Sequence, residues 1–470
     1  MRIIGIVIWS CLVSLQAFGQ DITGSWNGLL KVQGMQLRVV FNISKTDTGL
    51  SATMDSPDQG AKGIPVTTVS FENKTLKLSI ASARIEYEGV LGQDNIIAGN
   101  FMQAGQTFPL NLTKEVVEKE KISRPQEPVK PYPYYEEDIT FTNDKGGHSL
   151  AGTLTLPKKD GVYPAVILIT GSGPQNRDEE LLGHKPFLVL SDYLTRNGIA
   201  VLRFDDRGIG ASTGDFKTAT SADFATDVEA GVAYLLTRKE IDKKKIGLIG
   251  HSEGGIIAPM VAARTKDVSF IVLMAGTGIP GDQLLLLQST LIGRAAGVSE
   301  EDLLKTKNIN KGAYDLVIKS KSTEELNKDL TVYMTAYIEQ VLKDDPGQSL
   351  PEGTTIEEVV KVQVDGLISP WMQYFIKYNP ALILEKVKCP VLAINGEKDL
   401  QVPPMENLEA IKTALAKGGN KKVTTVELPG LNHLFQECTT GSPDEYATIE
   451  QTISPVALTT MVEWMQMLWR

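Results

Sequence analysis

Gly250-His-Ser-Glu-Gly254 places one serine between two glycines. The residues before it, Lys245 to Gly250, read as a buried strand, and a helical pattern begins at Glu253. A serine on so tight a strand-to-helix turn is forced into a strained backbone conformation, so its neighbours must be small. Its hydroxyl then projects above the sheet at the positive end of the following helix. Gly255 gives that helix room to approach the strand. The chemistry such a serine can do is attack on a carbonyl carbon. The plain alternative is a glycine-rich turn with an idle serine.

A hydroxyl is a poor nucleophile and needs a base. The chain has four histidines. His148 falls in a hairpin turn. His251 sits beside the serine with its side chain expected to point away. His184 precedes a helix, either lining a pocket or solvated. His433 lies in Leu428-Pro-Gly-Leu-Asn-His-Leu-Phe435, after the last strand and before the last helix. Only His433 follows the serine in the chain at the end of the sheet where the serine emerges. An acid must hold its imidazole in one tautomer and stabilise the cation. Asp399, in the turn Asn395-Gly-Glu-Lys-Asp399 after the preceding strand, is the first candidate, and Glu397 is its rival. Attack also creates an oxyanion, which needs preorganised donors worth ~3 kcal/mol each. The backbone N–H of Glu253 and that of Ser172, in Thr170-Gly-Ser-Gly-Pro174, are assigned to it.

The elements around these residues form a regular series. From residue 135 onward, strand runs such as Ala165–Ile169, Ile199–Phe204, Phe270–Met274 and Pro390–Asn395 alternate with helical patterns near 185–197, 221–238 and 404–417. That rhythm predicts a mostly parallel sheet flanked by helices. It stops between 279 and 385, where only amphipathic helical patterns occur, so this block reads as a cap inserted between two strands. Its apolar clusters, Leu284-Leu-Leu-Leu287 and Trp371-Met-Gln-Tyr-Phe375, are expected mainly to pack the cap down. Some of them are expected to face the pocket and set acyl-length preference.

Residues 20–114 have a different character. Short alternating runs, as in Gln36–Ile43, Thr75–Ile80 and Ile96–Phe101, are separated by turn residues, which predicts an antiparallel sandwich or small barrel. Gly24-Ser-Trp26 resembles the Gly-x-Trp start of lipocalin-like barrels. Residues 115–134 hold Pro125, Pro128, Pro131 and Pro133 and read as a stiff linker.

Together the elbow, Phe204-Asp-Asp-Arg-Gly-Ile-Gly-Ala-Ser212, Gly396-Glu-Lys-Asp399 and Asn432-His433 resemble the α/β-hydrolase superfamily over roughly residues 136–470. Gly171-Ser-Gly-Pro-Gln-Asn-Arg-Asp178 is similar to the bacterial carboxylesterase and serine-aminopeptidase-like branch. Thr170 departs from the branch's usual hydrophobic or His residue and leaves the main-chain donor intact. The resemblance implies an α/β-hydrolase fold with a helical cap over 135–470. It also implies a Ser252–His433–Asp399 triad, no cofactor, and a small-molecule ester as substrate. An amide or peptide substrate is the second reading, and a binding protein centred on the β-rich module the third. Asp206 and Arg207 are read as structural, an ion pair fixing a turn. No phosphate-binding loop and no metal-ligand spacing is present.

The net charge of −10 excludes the basic face a nucleic-acid binder needs. Arg2, the apolar run Ile3–Leu15 and Ala17-Phe18-Gly19 follow the pattern of a secretory signal over residues 1–19. A periplasmic or secreted location is therefore expected. The run is shorter than the about 20 apolar residues of a membrane span, so no stable membrane insertion is expected. Lipidation at Cys11 is disfavoured by the bulky Trp9 two residues before it.

Cleavage of that signal leaves Cys389 and Cys438. The first starts a strand at the end of the sheet away from the serine, and the second follows His433 at the other end. A six-residue strand spans about 20 Å, whereas bridged cysteine Cα atoms lie within about 7 Å. The mature protein should therefore carry two free thiols. Titration of the unfolded, unreduced protein checks this, and finding none would refute it.

Overall fold

The computed structural model describes residues 21–32, 35–103, 106–119, 123–344, 350 and 354–470. The export signal expected at 1–19, with Cys11, lies outside them. The chain divides into two compact units, parted near residue 120.

The first unit contains β1 (Gly24–Val32), β2 (Met35–Thr46), β3 (Gly49–Ser56), β4 (Ala61–Pro65), β5 (Thr68–Glu72), β6 (Thr75–Ile80), β7 (Ile85–Leu91), β8 (Ile97–Gln103), β9 (Gln106–Pro109) and β10 (Leu112–Thr113). They form one antiparallel half-barrel sheet, in the order β4-β3-β2-β1-β10-β8-β7-β6-β5 with β9 on β8. Strict alternation drives it: in β7, Ile85, Tyr87, Gly89 and Leu91 face inward. Gly89 leaves the space that the Tyr87 hydroxyl occupies, and that hydroxyl donates to the carbonyl of Leu110 at 3.1 Å. Trp26 is buried and its Nε1 donates to the Ile22 carbonyl at 2.7 Å. The tryptophan of the Gly-x-Trp start thus closes this core.

The second unit contains β11 (Tyr135–Asn143), β12 (His148–Leu156), β13 (Tyr163–Ile169), α1 (Pro186–Arg196), β14 (Ala200–Phe204), α2 (Ser221–Thr237), β15 (Ile241–His251), α3 (Gly254–Ala262) and β16 (Phe270–Met274). Its sheet runs β11-β12-β14-β13-β15-β16-β17-β18, with β17 (Val391–Gly396) and β18 (Val423–Leu428) closing it. β13 to β18 are parallel, and β11 and β12 are antiparallel. All five residues of β14 and of β16 are buried, because helices cover both faces. The chain leaves β13 toward β14 on one side and returns to β15 on the other. The carboxyl ends of β13 and β15 therefore flank the point where the winding reverses, and a crevice opens there in such sheets.

Between β16 and β17 lie α4 (Gly281–Ala295), α5 (Glu300–Lys319), α6 (Thr323–Asp344), α7 (Ile356–Leu367), α8 (Pro370–Lys377) and α9 (Ala381–Leu384). This insert has a core of its own, including Val317, Leu330, Met334 and Val364. α8 joins it to the sheet domain. Met372 and Ile376 face the insert's core, while Trp371 and Phe375, four residues apart and stacked at 5.1 Å, face the core of the sheet domain. α10 (Pro404–Lys417) and α11 (Pro455–Leu468) complete the layers. Cys389 and Cys438 are both free. No helix among the described residues is long and apolar enough to cross a membrane.

The proline-rich segment is not a bare spacer along its whole length. Arg124 donates to the carbonyls of Ala447 at 2.8 Å and Ile449 at 2.6 Å. Gln126 accepts the N–H groups of Thr452 and Ile453 and donates to the Ile453 carbonyl at 2.7 Å. A chain beginning at residue 135 leaves these groups without protein partners. At about 1 kcal/mol per hydrogen bond, losing these five should leave a 135–470 fragment less stable than a 123–470 fragment by roughly 5 kcal/mol. Denaturant melts of the two fragments measure this, and coincident curves would contradict it.

Candidate active site

Ser252 stands at φ +52°, the left-handed region that a serine rarely enters. Its N–H donates to the Met274 carbonyl at 2.8 Å, which ties the turn to the end of β16. The glycines around it are needed for space. A Cβ at Gly250 would lie 2.0 Å from the Gly254 oxygen, and one at Gly254 would lie 2.2 Å from the Ile169 oxygen. Their absence lets α3 begin against the end of β13.

The structure brings Asp399 and His433 together. His433 Nδ1 lies 2.8 Å from Asp399 Oδ2, and both residues are buried. The other carboxylate oxygen accepts the N–H groups of Gln401 and Val402, each at 2.8 Å, so the acid is fixed from two sides. Asn432 shapes the histidine loop by accepting the N–H groups of Leu434 and Gln436. Glu397 makes a different contact, taking the Gly430 N–H at 2.8 Å. Ser252 and His433 line one cavity of ≈80 Å³, together with Ser172, Gln175, Leu181, Gln401 and Leu434. Among the described residues, every one lining it lies outside 279–385. The expectation that some of the insert's apolar residues face this pocket is therefore corrected: Trp371 and Phe375 pack against the sheet domain, and the insert meets the rim through Gln288, which donates to Gln401 at 3.3 Å.

The loop after β13 is held by two carboxylates. Glu179 Oε1 accepts the Gly171 N–H at 2.7 Å. Asp206 spans the loop, accepting from Thr170 Oγ1 and from the Gln175 N–H, each at 2.9 Å. Loss of water pushes the Asp206 carboxyl up to about 8 against these hydrogen bonds, and Glu253 and Glu179 add to the rise. Among the described residues, the N–H groups of Ser172 and Glu253 have no protein acceptor. Asp206 and Arg207 do not form the expected pair with each other. Arg207 Nε donates to Asp227 Oδ2 at 2.7 Å, and Asp227 Oδ1 meets His148 Nε2 at 2.7 Å. Asp205 binds Arg177.

A further expectation is corrected. His251 does not point away from the site. It lines the cavity, its Nδ1 is 2.9 Å from Glu179 Oε1, and its ring centre is 4.9 Å from that of His433. Glu253 contributes more than a backbone N–H. Its carboxyl is buried and accepts from Ser221 Oγ at 2.5 Å and from Trp371 Nε1 at 2.8 Å. Burial pushes this carboxyl up, and those two hydrogen bonds oppose the shift. The residue after Ser252 thus anchors the insert through α8. Among the described residues no cluster of His, Cys, Asp and Glu could hold a metal ion.

The sequence profile of the alpha/beta hydrolase family matches residues 166–449. The chain belongs to the alpha/beta hydrolase family. It is 32% identical over 190 residues to esterase EstD of Thermotoga maritima, a match covering 38% of this chain and 43% of that esterase. It is 26% identical over 286 residues to an uncharacterised 31.7 kDa protein of the traX-finO intergenic region of Escherichia coli, covering 60% of this chain and 87% of that protein. Among solved structures, the Pyrococcus furiosus esterase Pf2001 is similar at 18% identity and a TM-score of 0.40, covering 66% of this chain and 91% of that one.

His184 is neither solvated nor part of the cavity wall. It is fully buried, with Nδ1 3.0 Å from Thr452 Oγ1 and Nε2 2.9 Å from the Tyr446 carbonyl. Burial pulls its pKa from 6.5 down to about 4. A depressed histidine favours the fold while it is neutral. Its contribution is complete above 6.5 and is lost as pH falls from there to about 4. Over that window the wild type should lose roughly 3 kcal/mol that a His184→Asn variant does not. Denaturant melts across the range read the difference, and parallel profiles would contradict it.

Proposed function

We propose that the protein is an exported serine hydrolase that cleaves small carboxylic esters through an acyl-enzyme. The observation that carries this reading is the buried Asp399–His433 pair, at 2.8 Å, whose histidine shares the wall of one cavity with Ser252. In the proposed reaction His433 Nε2 takes the Ser252 Oγ proton as that oxygen bonds to the ester carbonyl carbon. The negative oxygen that results is stabilised by the N–H groups of Ser172 and Glu253. Collapse of the tetrahedral intermediate breaks the bond to the alkoxy oxygen, which leaves as the alcohol with the proton from His433. A water molecule, deprotonated by His433, then attacks the acyl-enzyme. The acid is released and the proton returns to Ser252. Export rests on the residue pattern at 1–19.

Two features favour an ester over a peptide amino terminus, and a short acyl group over a long one. The single carboxylate in the cavity wall, Glu179, is already engaged by Gly171 and His251, so no free acid is offered to a substrate ammonium. The cavity is small, and its apolar wall consists of Leu181, Pro186 and Leu434. Each additional buried methylene is worth ~0.8 kcal/mol only where there is room for it. Acyl preference is therefore assigned to the loops of the sheet domain.

The test is steady-state kinetics on p-nitrophenyl esters of increasing chain length beside aminoacyl p-nitroanilides. Turnover should be greatest with the short esters. Ser252→Ala should lower kcat by about 10⁶, and Asp399→Asn by about 10⁴, in folded proteins. Activity of Ser252→Ala within about tenfold of the parent would overturn the nucleophile. Faster cleavage of the anilides would favour the amide reading.

A further inference from the structure

Glu179 and His251 take no part in the steps above, yet both are buried against the site. The His251 ring spans two loops. Its Nδ1 is 2.9 Å from Glu179 Oε1, the same oxygen that accepts the Gly171 N–H at 2.7 Å. Its Nε2 is 3.1 Å from the backbone carbonyl oxygen of His433. One imidazole therefore connects the loop that carries Ser172 to the loop that carries His433. A carbonyl oxygen can only accept, so Nε2 must bear a hydrogen. The Glu179 oxygen that already accepts the Gly171 N–H has room to accept a second hydrogen from Nδ1.

We propose that His251 is held doubly protonated on the Glu179 carboxylate, and that this buried pair is a positioning clamp between the oxyanion loop and the histidine loop. The proposal rests on reading Ser252 and His433 as nucleophile and base. The groups facing His251 are consistent with the charge. Burial opposes it, while Glu179, the His433 carbonyl and the more distant Asp399 favour it, and the net effect raises the pKa. The rings beside it are those of His433 and the apolar Phe435, whose ring centre lies 6.3 Å away. The clamp closes on main-chain atoms at both ends. Glu179 takes an N–H adjoining Ser172, and His251 holds the carbonyl of the very residue whose ring must reach Ser252. Displacing either loop by about 1 Å is the kind of misplacement that lowers turnover ~10²-fold without weakening binding.

Two measurements on the full chain test the clamp. The first is nitrogen NMR of ¹⁵N-histidine-labelled protein at about pH 8, where a free imidazole is neutral, with a His251→Gln spectrum for assignment. Both His251 nitrogens should be protonated. A bare Nδ1, with the proton residing on Glu179, would overturn the charged pair. The second is the kinetics of Glu179→Gln on a p-nitrophenyl ester. kcat should fall ~10²-fold with KM within about threefold, the signature of lost transition-state positioning. An unchanged kcat would overturn the clamp. If Glu179→Gln does not fold, the wild-type spectrum still decides the protonation on which the clamp depends. Failure of the underlying reading would look different: the wild type itself would neither turn over esters nor be labelled at Ser252 by a fluorophosphonate, whatever the NMR result.

Discussion

The site depends on one close approach, the start of α3 against the carboxyl end of β13. A methyl group at Gly254 would lie 2.2 Å from the Ile169 oxygen, and one at Gly255 would lie 2.5 Å from Gly276 Cα. Because neither is there, the turn at Ser252 and the loop 170–175 leave adjacent strands side by side. The strained φ of Ser252 follows from that packing, since a residue in a sparsely populated conformation persists only where its surroundings over-determine it. Here they comprise the buried strands β13, β15 and β16 and the hydrogen bond from Ser252 to Met274. The reversal of winding at β13 brings this about in the sheet as a whole.

Around that contact the protein arranges buried and half-buried acids, each with its own partners. Asp399 holds the His433 ring. Glu179 and Asp206 hold the loop after β13 from its two sides, and Glu253 holds α8 of the insert. None of these carboxyls lacks a donor, as burial of polar groups in so dry a region requires. The same economy explains the Asp-Asp-Arg run. Its three side chains point to three partners, Arg177, the loop after β13 and Asp227, so one short turn braces three elements.

What the sequence made legible was set by range and by chain order. The elbow is contiguous, from Gly250 to Gly255. The residues that meet at the site follow strand ends, which apolar runs such as Val391–Ile394 mark clearly. The insert was visible as an interruption of the strand–helix rhythm. The positioning contacts were not visible. Glu179 and His251 are 72 residues apart, His251 and His433 are 182 apart, and Trp371 and Glu253 are 118 apart. Glu179 sits in the acidic run Asp178-Glu-Glu180, where nothing local singles out one carboxylate. His251 was expected to turn away because a residue beside an elbow serine has no local pattern that fixes its direction. The insert was expected to line the pocket because it follows β16, but the direction of α8's faces is decided by two cores, and a stripe of apolar residues does not say which one it meets.

The central claim is that Ser252 becomes covalently acylated. Wild-type protein mixed with excess p-nitrophenyl acetate and quenched in acid during the first turnover should carry a single acetyl group, and peptide mapping by mass spectrometry should locate it on Ser252. An acetyl group on another residue, or ester turnover with no adduct at the earliest quench times, would contradict the account.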